Sequence, residues 1–316
     1  RQNVQNFVDE VTTLEHPNIQ RVTVAYLTAH CLFLVMEPVS GVSLTQYLAK
    51  LPSLSVSLAA SIIREIATIF HYLHQANFCH GFVSPESFVV VEGAAPSNSS
   101  DSSDTGEGGS TKYESGVQVP RIVLVDFGLE LKVGRNVDLL VAEEKGPYLS
   151  PEVARSLTIL SVSPSADERS TETDIFSLAL VFFHILTGRT VFHRPTKSAT
   201  LRAIQNEAIG PDLFVKGQIG ENVPDNAARL ITSMAAQDHK RRTPIAQVLN
   251  SAFMNDAFEA PKTELPSTLL ETLRHYSKIL VHIALLLVAV AVLCIRVVVF
   301  CRLCRSVGCC FCAPRQ

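Results

Sequence analysis

The stretch Cys79-His80-Gly81-Phe82-Val83-Ser84-Pro85-Glu86-Ser87-Phe88 places an imidazole and two hydroxyls beside a proline-fixed turn. Further on, Val125-Asp126-Phe127-Gly128 closes a β-rich run with a carboxylate and a glycine. A carboxylate so placed can hold a hard divalent cation, which prefers oxygen ligands, and the Ser87 hydroxyl could add a weak donor atom. Phe82 can accept neither a proton nor a hydrogen bond, so no general base stands there. A second group of reactive residues crowds the end of the chain: Cys301, Cys304, Cys309, Cys310 and Cys312, with Arg302 and Arg305 among them. Cys301 and Cys304 have the spacing of half a Cys₄ zinc site, but Cys309 with Cys310 or Cys312 does not repeat it. Thiols between arginines and next to an apolar run suit S-palmitoylation better. His71 and His74 share one helix face with no acidic or cysteine partner nearby in sequence, and read as plain histidines.

These residues need elements to hold them. Val4, Phe7, Val8, Val11 and Leu14 recur at helical spacing, and His16-Pro17-Asn18-Ile19 ends that segment. Two β-rich runs come next, 21–27 and 31–37, separated by the short turn 28–30. Residues 40–51 read as a polar loop and a short helix. Leu58, Ile62, Ile63, Ile66, Ile69, Phe70 and Leu73 predict one long amphipathic helix over 54–75. Strands are expected at 88–91 and from 121. The run 173–188 is apolar nearly all round, which predicts a buried helix. Segments 225–237 and 243–253 read as two further helices that close the domain near Ala257.

Composition narrows the partners. Of 316 residues, 47% are apolar and 18% charged, with net charge −3. Without a basic stripe ahead of the C-terminal end, nucleic acid is not expected as a partner. His239-Lys240-Arg241-Arg242 reads as a solvated turn. Residues 93–116 are rich in Ser, Gly and Asp and predict a disordered insert, because so few apolar groups cannot offset ordering entropy. From Ile279 to Ile295 the chain is apolar apart from His282, and Val297-Val298-Val299-Phe300-Cys301 extends the run beyond Arg296. A membrane-spanning helix at 279–300 is expected, close to the ~20 residues a bilayer core requires, with a buried core helix as the alternative. Residues 258–278 would be a juxtamembrane linker and 301–316 a Cys-rich tail. Arg274 and Lys278 on one side balance Arg302 and Arg305 on the other, so charge hardly orients the span. Cys31 and Cys79 are the only cysteines before residue 290, which points to a reducing compartment for the body. Asn98-Ser99-Ser100 would be glycosylated only in a lumenal body. No N-terminal secretory signal is visible, and the chain opens on Arg1 rather than on methionine.

Taken in order, these segments resemble the eukaryotic protein kinase family over roughly residues 1–257. His16-Pro17-Asn18-Ile19 is similar to the loop after the αC helix. Residues 32–48 resemble the fifth strand, hinge and first large-lobe helix, with Met36 as gatekeeper and Glu37 to Val39 as hinge and nucleotide-binding candidates. Residues 79–91 resemble the catalytic loop, 124–130 the Mg-binding loop, and 146–153 the Ala-Pro-Glu end of the activation segment. Residues 173–188 resemble the central helix that opens with Asp, and 237–249 the last motif, with its Arg. The fold implied is α+β: a two-lobe kinase-like fold, small lobe and hinge at 1–39 and helical large lobe at 40–257, plus the C-terminal span.

What the resemblance implies for chemistry is loss. Phosphoryl transfer depends on positioned phosphates, neutralised charge and an oriented nucleophile. The family's catalytic Asp is here Phe82, its loop Lys is Ser84, and its second Mg-binding Asn is Ser87. Loss of a general base alone costs about 10²–10⁴-fold in rate. The Arg that grips an activation-segment phosphate is Gly81, and 129–147 contains no Ser, Thr or Tyr. No glycine precedes Gly41 and no lysine precedes Lys50, so the Gly-rich loop and strand-three Lys are absent from this chain. The αC Glu position is Phe7, and Glu10 would serve only in a shifted register. The architectural residues remain: Glu152 and Arg242 as the family's buried ion pair, Asp174 as the brace of the catalytic loop, His80 as the residue that shapes it. Asp126 keeps the place of an Mg ligand, and Mg-ATP is the one cofactor the resemblance implies. The expectation is a membrane-anchored pseudokinase, its body cytosolic, serving other signalling proteins as scaffold or allosteric partner. The alternatives are a serine/threonine-type kinase whose remaining small lobe lies upstream, and a chain whose acidic insert is the working tether.

Overall fold

Ser55 starts the longest described helix by turning its Oγ to the backbone N–H of Leu58, a cap that contributes about 1 kcal/mol. The computed structural model describes residues 2–28, 31–51, 54–91, 120–129, 145–159, 170–214 and 223–256. All of them belong to one compact unit, Arg1–Ala260. The insert 93–116, the linker 258–278, the apolar run 279–300, the cysteine tail 301–316 and most of the segment between Asp126 and Lys145 lie outside the described residues.

Helix α1 (Gln2–Thr12) is succeeded by the antiparallel strands β1 (Val22–Leu27) and β2 (Leu32–Met36). Phe7 and Val11 of α1 are buried. The cross-strand pairs Val24–Val35 and Tyr26–Phe33 share the opposite, exposed face of this hairpin, with Tyr26 58% and Phe33 55% exposed. The loop between α1 and β1 docks on residues from much later in the chain. Asn18 donates to the Ile122 carbonyl at 2.7 Å and to Glu65 at 3.0 Å, while Gln20 N–H donates to the Leu124 carbonyl at 2.8 Å.

The remainder is built around α3 (Val56–Gln75), reached through β3 (Val42–Ser43) and α2 (Leu44–Lys50). Ile62, Ile63, Ile66, Ile69, Phe70 and Leu73 all point into the core, as their spacing predicts. By length and composition α3 could cross a membrane, but these side chains are packed against protein. Strands β4 (Phe88–Val91) and β5 (Arg121–Leu124) join β3 in an antiparallel sheet of order β3-β4-β5.

Then come α4 (Pro151–Ile159), α5 (Thr171–Thr187), α6 (Lys197–Asn206), α7 (Asp225–Met234), α8 (Ile245–Leu249) and α9 (Ala252–Asp256). Helix α5 is buried on nearly every side, each large apolar side chain contributing about 1.5–3 kcal/mol of burial. The structure corrects the expected pattern in three places. Helices α4 and α6 were not expected, because each is short and mixes polar with apolar residues. Their starts carry ordinary signals, Pro151 in the first turn of α4 and a Thr196 Oγ1 cap on Ala199 N–H for α6. The helix expected over 243–253 is two short ones, parted at Asn250 and Ser251.

Candidate active site

The loop after α3 is held from below by α5. Asp174 lies in the first turn of α5, where the helix dipole favours a carboxylate. It accepts hydrogen bonds from the backbone N–H of Gly81 at 2.6 Å and of His80 at 3.0 Å, and from His74 Nε2 at 3.1 Å. Burial alone would raise its pKa, but the His74 hydrogen bond, the attraction of the His74 and His80 N–H groups and the Gly81 amide hold it below the usual carboxylate range. His74 therefore has an acidic partner after all. It comes from a helix distant in sequence, which helix spacing could not reveal.

His80 is fully buried. Its Nδ1 accepts from Phe82 N–H at 3.2 Å and its Nε2 donates to the Asp126 carbonyl at 3.0 Å. These partners fix the Nε2–H tautomer and join the two loops. The Phe70 ring lies 6.0 Å from His80, and Phe127 is buried in the same core. Two glycines make the crossing. Gly81 has φ 80°, a conformation that a side chain resists. Gly128 has φ 62°, and a Cβ there would meet the His80 carbonyl oxygen at 2.0 Å.

Phe82, Ser84 and Ser87, which read in the sequence as replacements in a degenerate loop, are all buried. Phe82 is 2% exposed and belongs to the core. Ser84 is fully buried, and its Oγ finds no hydrogen-bond partner among the described residues. Ser87, also fully buried, donates from Oγ to Asp126 Oδ2 at 3.1 Å and accepts from Ser84 N–H at 3.3 Å. Asp126 is the acidic group at the centre. Its Oδ1 accepts from Gly128 N–H at 3.1 Å, and its Oδ2 accepts from Lys145 Nζ at 2.8 Å. Burial pushes the Asp126 carboxyl up, yet the attraction of the His80 Nε2–H and of the Lys145 ammonium, with the Lys145 and Gly128 hydrogen bonds, brings it below its ordinary value. Lys145 Nζ also stands 5.2 Å from the centre of the Phe82 ring, a cation–π distance. Sequence reasoning missed Lys145. A lysine after two glutamates carries no motif, and only the fold brings it to Asp126.

A resident Mg²⁺ fits this arrangement poorly. Mg²⁺ demands near-octahedral oxygen ligation. Here both Asp126 oxygens already accept hydrogen bonds, an ammonium sits on one of them, and Ser87 turns its proton toward the same oxygen. Among the described residues no group of three or more His, Cys, Asp or Glu side chains could hold a metal.

The hinge candidates lie at the end of β2. Met36 is 37% exposed. The carbonyl of Glu37 accepts from Gln20 Nε2 at 2.7 Å, and its carboxylate is 3.8 Å from Arg21. Glu37, Val39, Gln20 and Arg121 help to line an open cavity of about 540 Å³ beside the hinge. Away from these loops, Arg242 meets Glu152 in two bonds of 2.7 and 2.8 Å, and Thr173 Oγ1 also donates to Glu152. His239, Lys240 and Arg241 form an exposed turn beside it.

Fold and site together define a class, the mixed helix-and-sheet fold of protein kinases. The family model described as protein kinase domain matches residues 1–254, and the chain belongs to that family. Its relatives include serine/threonine kinases. It is 26% identical over 281 residues to a putative ribosomal protein S6 kinase alpha-2 of Caenorhabditis elegans, covering 83% of this chain and 32% of that one. It is 23% identical over 249 residues to death-associated protein kinase 2 of Mus musculus, covering 79% and 58%. It therefore spans about a third of the first relative and somewhat over half of the second. Among solved structures, Rad53 1–466 in complex with AMP-PNP matches with TM-score 0.57 and 20% identity, over 80% of this chain and 55% of that one. That likeness concerns the fold.

Proposed function

We propose that this chain is a membrane-anchored pseudokinase, a kinase-fold body that binds signalling partners as scaffold or allosteric effector and transfers little or no phosphate. The observation that carries the reading is Phe82. The position at which the family orients the attacking hydroxyl holds a ring packed into the core, 2% exposed. A phosphoryl acceptor presented there would meet hydrocarbon instead of a base. Ser84 and Gly81 take away the γ-phosphate lysine and the phosphate-reading arginine of the family pattern. Glu152, Arg242 and Asp174 keep the bonds that hold the large lobe together. The anchor rests on the apolar run at 279–300, and lipidation of Cys301, Cys304, Cys309, Cys310 and Cys312 would reinforce it, with the body on the cytosolic side. The test is a radiometric transfer assay on the purified chain with Mg-ATP and generic protein substrates. Background counts are expected. Transfer that disappears in Asp126→Ala would overturn the reading, and alkaline extraction that frees the chain from membranes would overturn the anchor.

A second reading has one observation in its favour. The hairpin face with Val24, Tyr26, Phe33 and Val35 is apolar and exposed, and exposed apolar faces of this kind ask for cover. Upstream strands bearing a Gly-rich loop and a lysine would cover it and make the chain the larger part of an ATP-binding serine/threonine kinase. Phe82 and Ser84 would stay as they are. A longer gene product with those strands and measurable transfer would favour this reading over the first.

A further inference from the structure

We infer that Lys145 is a built-in counter-cation that takes the place of a divalent metal on Asp126 and ties the turn at Gly146–Tyr148 to the loop that carries Asp126. Lys145 lies immediately before the turn Gly146–Tyr148, far in sequence from the loop that it meets. Its Nζ is 2.8 Å from Asp126 Oδ2, and the two side chains are 21% and 19% exposed, so solvent screens the pair only in part. The Phe82 ring at 5.2 Å gives the ammonium an aromatic neighbour where the family pattern has a carboxylate. Phe82 and Lys145 thus form one arrangement. With a carboxylate at 82 that acid would compete with Asp126 for the ammonium, whereas a ring removes this competitor. Ser87 completes the enclosure by donating to the same oxygen.

A divalent ion approaching Asp126 would have to strip a direct ammonium contact and turn the Ser87 hydroxyl round. It would then sit within a few ångströms of a fixed positive charge, where like-charge repulsion opposes it. The expected consequence is an Asp126 carboxylate closed to Mg²⁺ and Mn²⁺. The lysine bridge is independent of the absence of phosphotransfer. A chain that transfers nothing yet binds metal through Asp126 would refute the bridge and leave the reading of Phe82 standing.

The experiment uses Mn²⁺ alone as probe, with the full 316-residue chain and binding read from the loss of the free Mn²⁺ paramagnetic resonance signal. The wild type is expected to leave the signal at its protein-free level. Lys145→Met keeps the apolar stem and removes the charge, and should bind Mn²⁺ at least about tenfold more tightly than wild type. Adding Asp126→Asn to it should abolish that gain. Melting temperatures of wild type and every variant report whether each is folded, and Lys145→Gln serves as second variant should the methionine form fail to fold. Wild-type Mn²⁺ binding that Asp126→Asn removes would overturn the inference, as would equal Mn²⁺ affinity of folded wild type and Lys145→Met or Lys145→Gln.

Discussion

The guanidinium of Arg242 and the carboxylate of Glu152 face each other through two parallel hydrogen bonds, 2.7 and 2.8 Å, with the arginine side chain wholly shielded from water. Arg242 is further fixed by its bonds to the Ala236 and Glu172 carbonyls and by the Phe176 ring at 4.9 Å. Removing Arg242 leaves Glu152 charged and largely shielded from water, with its side chain 16% exposed. Arg242→Ala is therefore expected to destabilise the fold by about 3–5 kcal/mol. Arg242→Lys should recover little of this, because an ammonium cannot reproduce the fork. Urea unfolding of the three proteins checks both statements.

Phe82 serves packing, and its removal should show as lost stability. Phe82→Ala is expected to cost about 3–5 kcal/mol, the usual toll of emptying a buried phenylalanine site. The same experiment on Ser84→Ala should come out neutral or slightly stabilising, by up to about 1 kcal/mol, because the buried Ser84 hydroxyl has no hydrogen-bond partner among the described residues. A Phe82→Ala protein as stable as wild type would contradict the packing role.

Gly128 and Gly210 form a matched pair of tests. At Gly128 the positive φ and the His80 carbonyl 2.0 Å from an added Cβ oppose any side chain, so Gly128→Ala should lose about 3 kcal/mol or more. At Gly210 nothing lies within 4 Å, and Gly210→Ala should stay within about 0.5 kcal/mol of wild type. Comparable losses at both sites in thermal melts would contradict the close crossing of the two loops.

Acid should unfold the body in two stages. Glu152, whose burial is outweighed by Arg242 and Thr173, and likewise Asp174 and Asp126, have folded-state pKa values below their ordinary ones. Between the folded and unfolded pKa the unfolded chain binds more protons. These groups thus stabilise above about pH 4 and lose that contribution as pH falls through their folded values. His16 and His184 are lowered by burial, so they begin to favour the unfolded chain as pH drops below about 6.5. Glu65 works in the opposite sense, since burial raises its pKa. The melting temperature is expected to decline gently from pH 7 to 5 and steeply below 4. The double variant Glu152→Gln with Arg242→Met should flatten the steep limb, and an unchanged limb would assign it to other groups.

The long helices were legible because α3 and α5 carry enough apolar residues for their period, or its saturation, to dominate. Helices α4 and α6 were not, since each is short and mixes polar with apolar residues, and only Pro151 and the Thr196 cap announce them. In the site, Phe82, Ser84 and Ser87 were legible as residue types, one ring and two hydroxyls in the loop before Phe88. His74 and Lys145 could not. Each acts on a carboxylate brought near by the fold, Asp174 and Asp126, and no local spacing encodes such a meeting.

The amino-acid order by itself determined which functional groups exist: no base at 82, no lysine at 84, one carboxylate at 126, and a surviving acid and arginine at 152 and 242. Only the tertiary structure decided what the survivors do. Residue type limits what a side chain can donate, accept or titrate, whereas its partner depends on distance and burial that arise when remote segments pack. For that reason Asp126 reads in the chain as a metal ligand, and in the folded molecule lies hydrogen-bonded to a lysine.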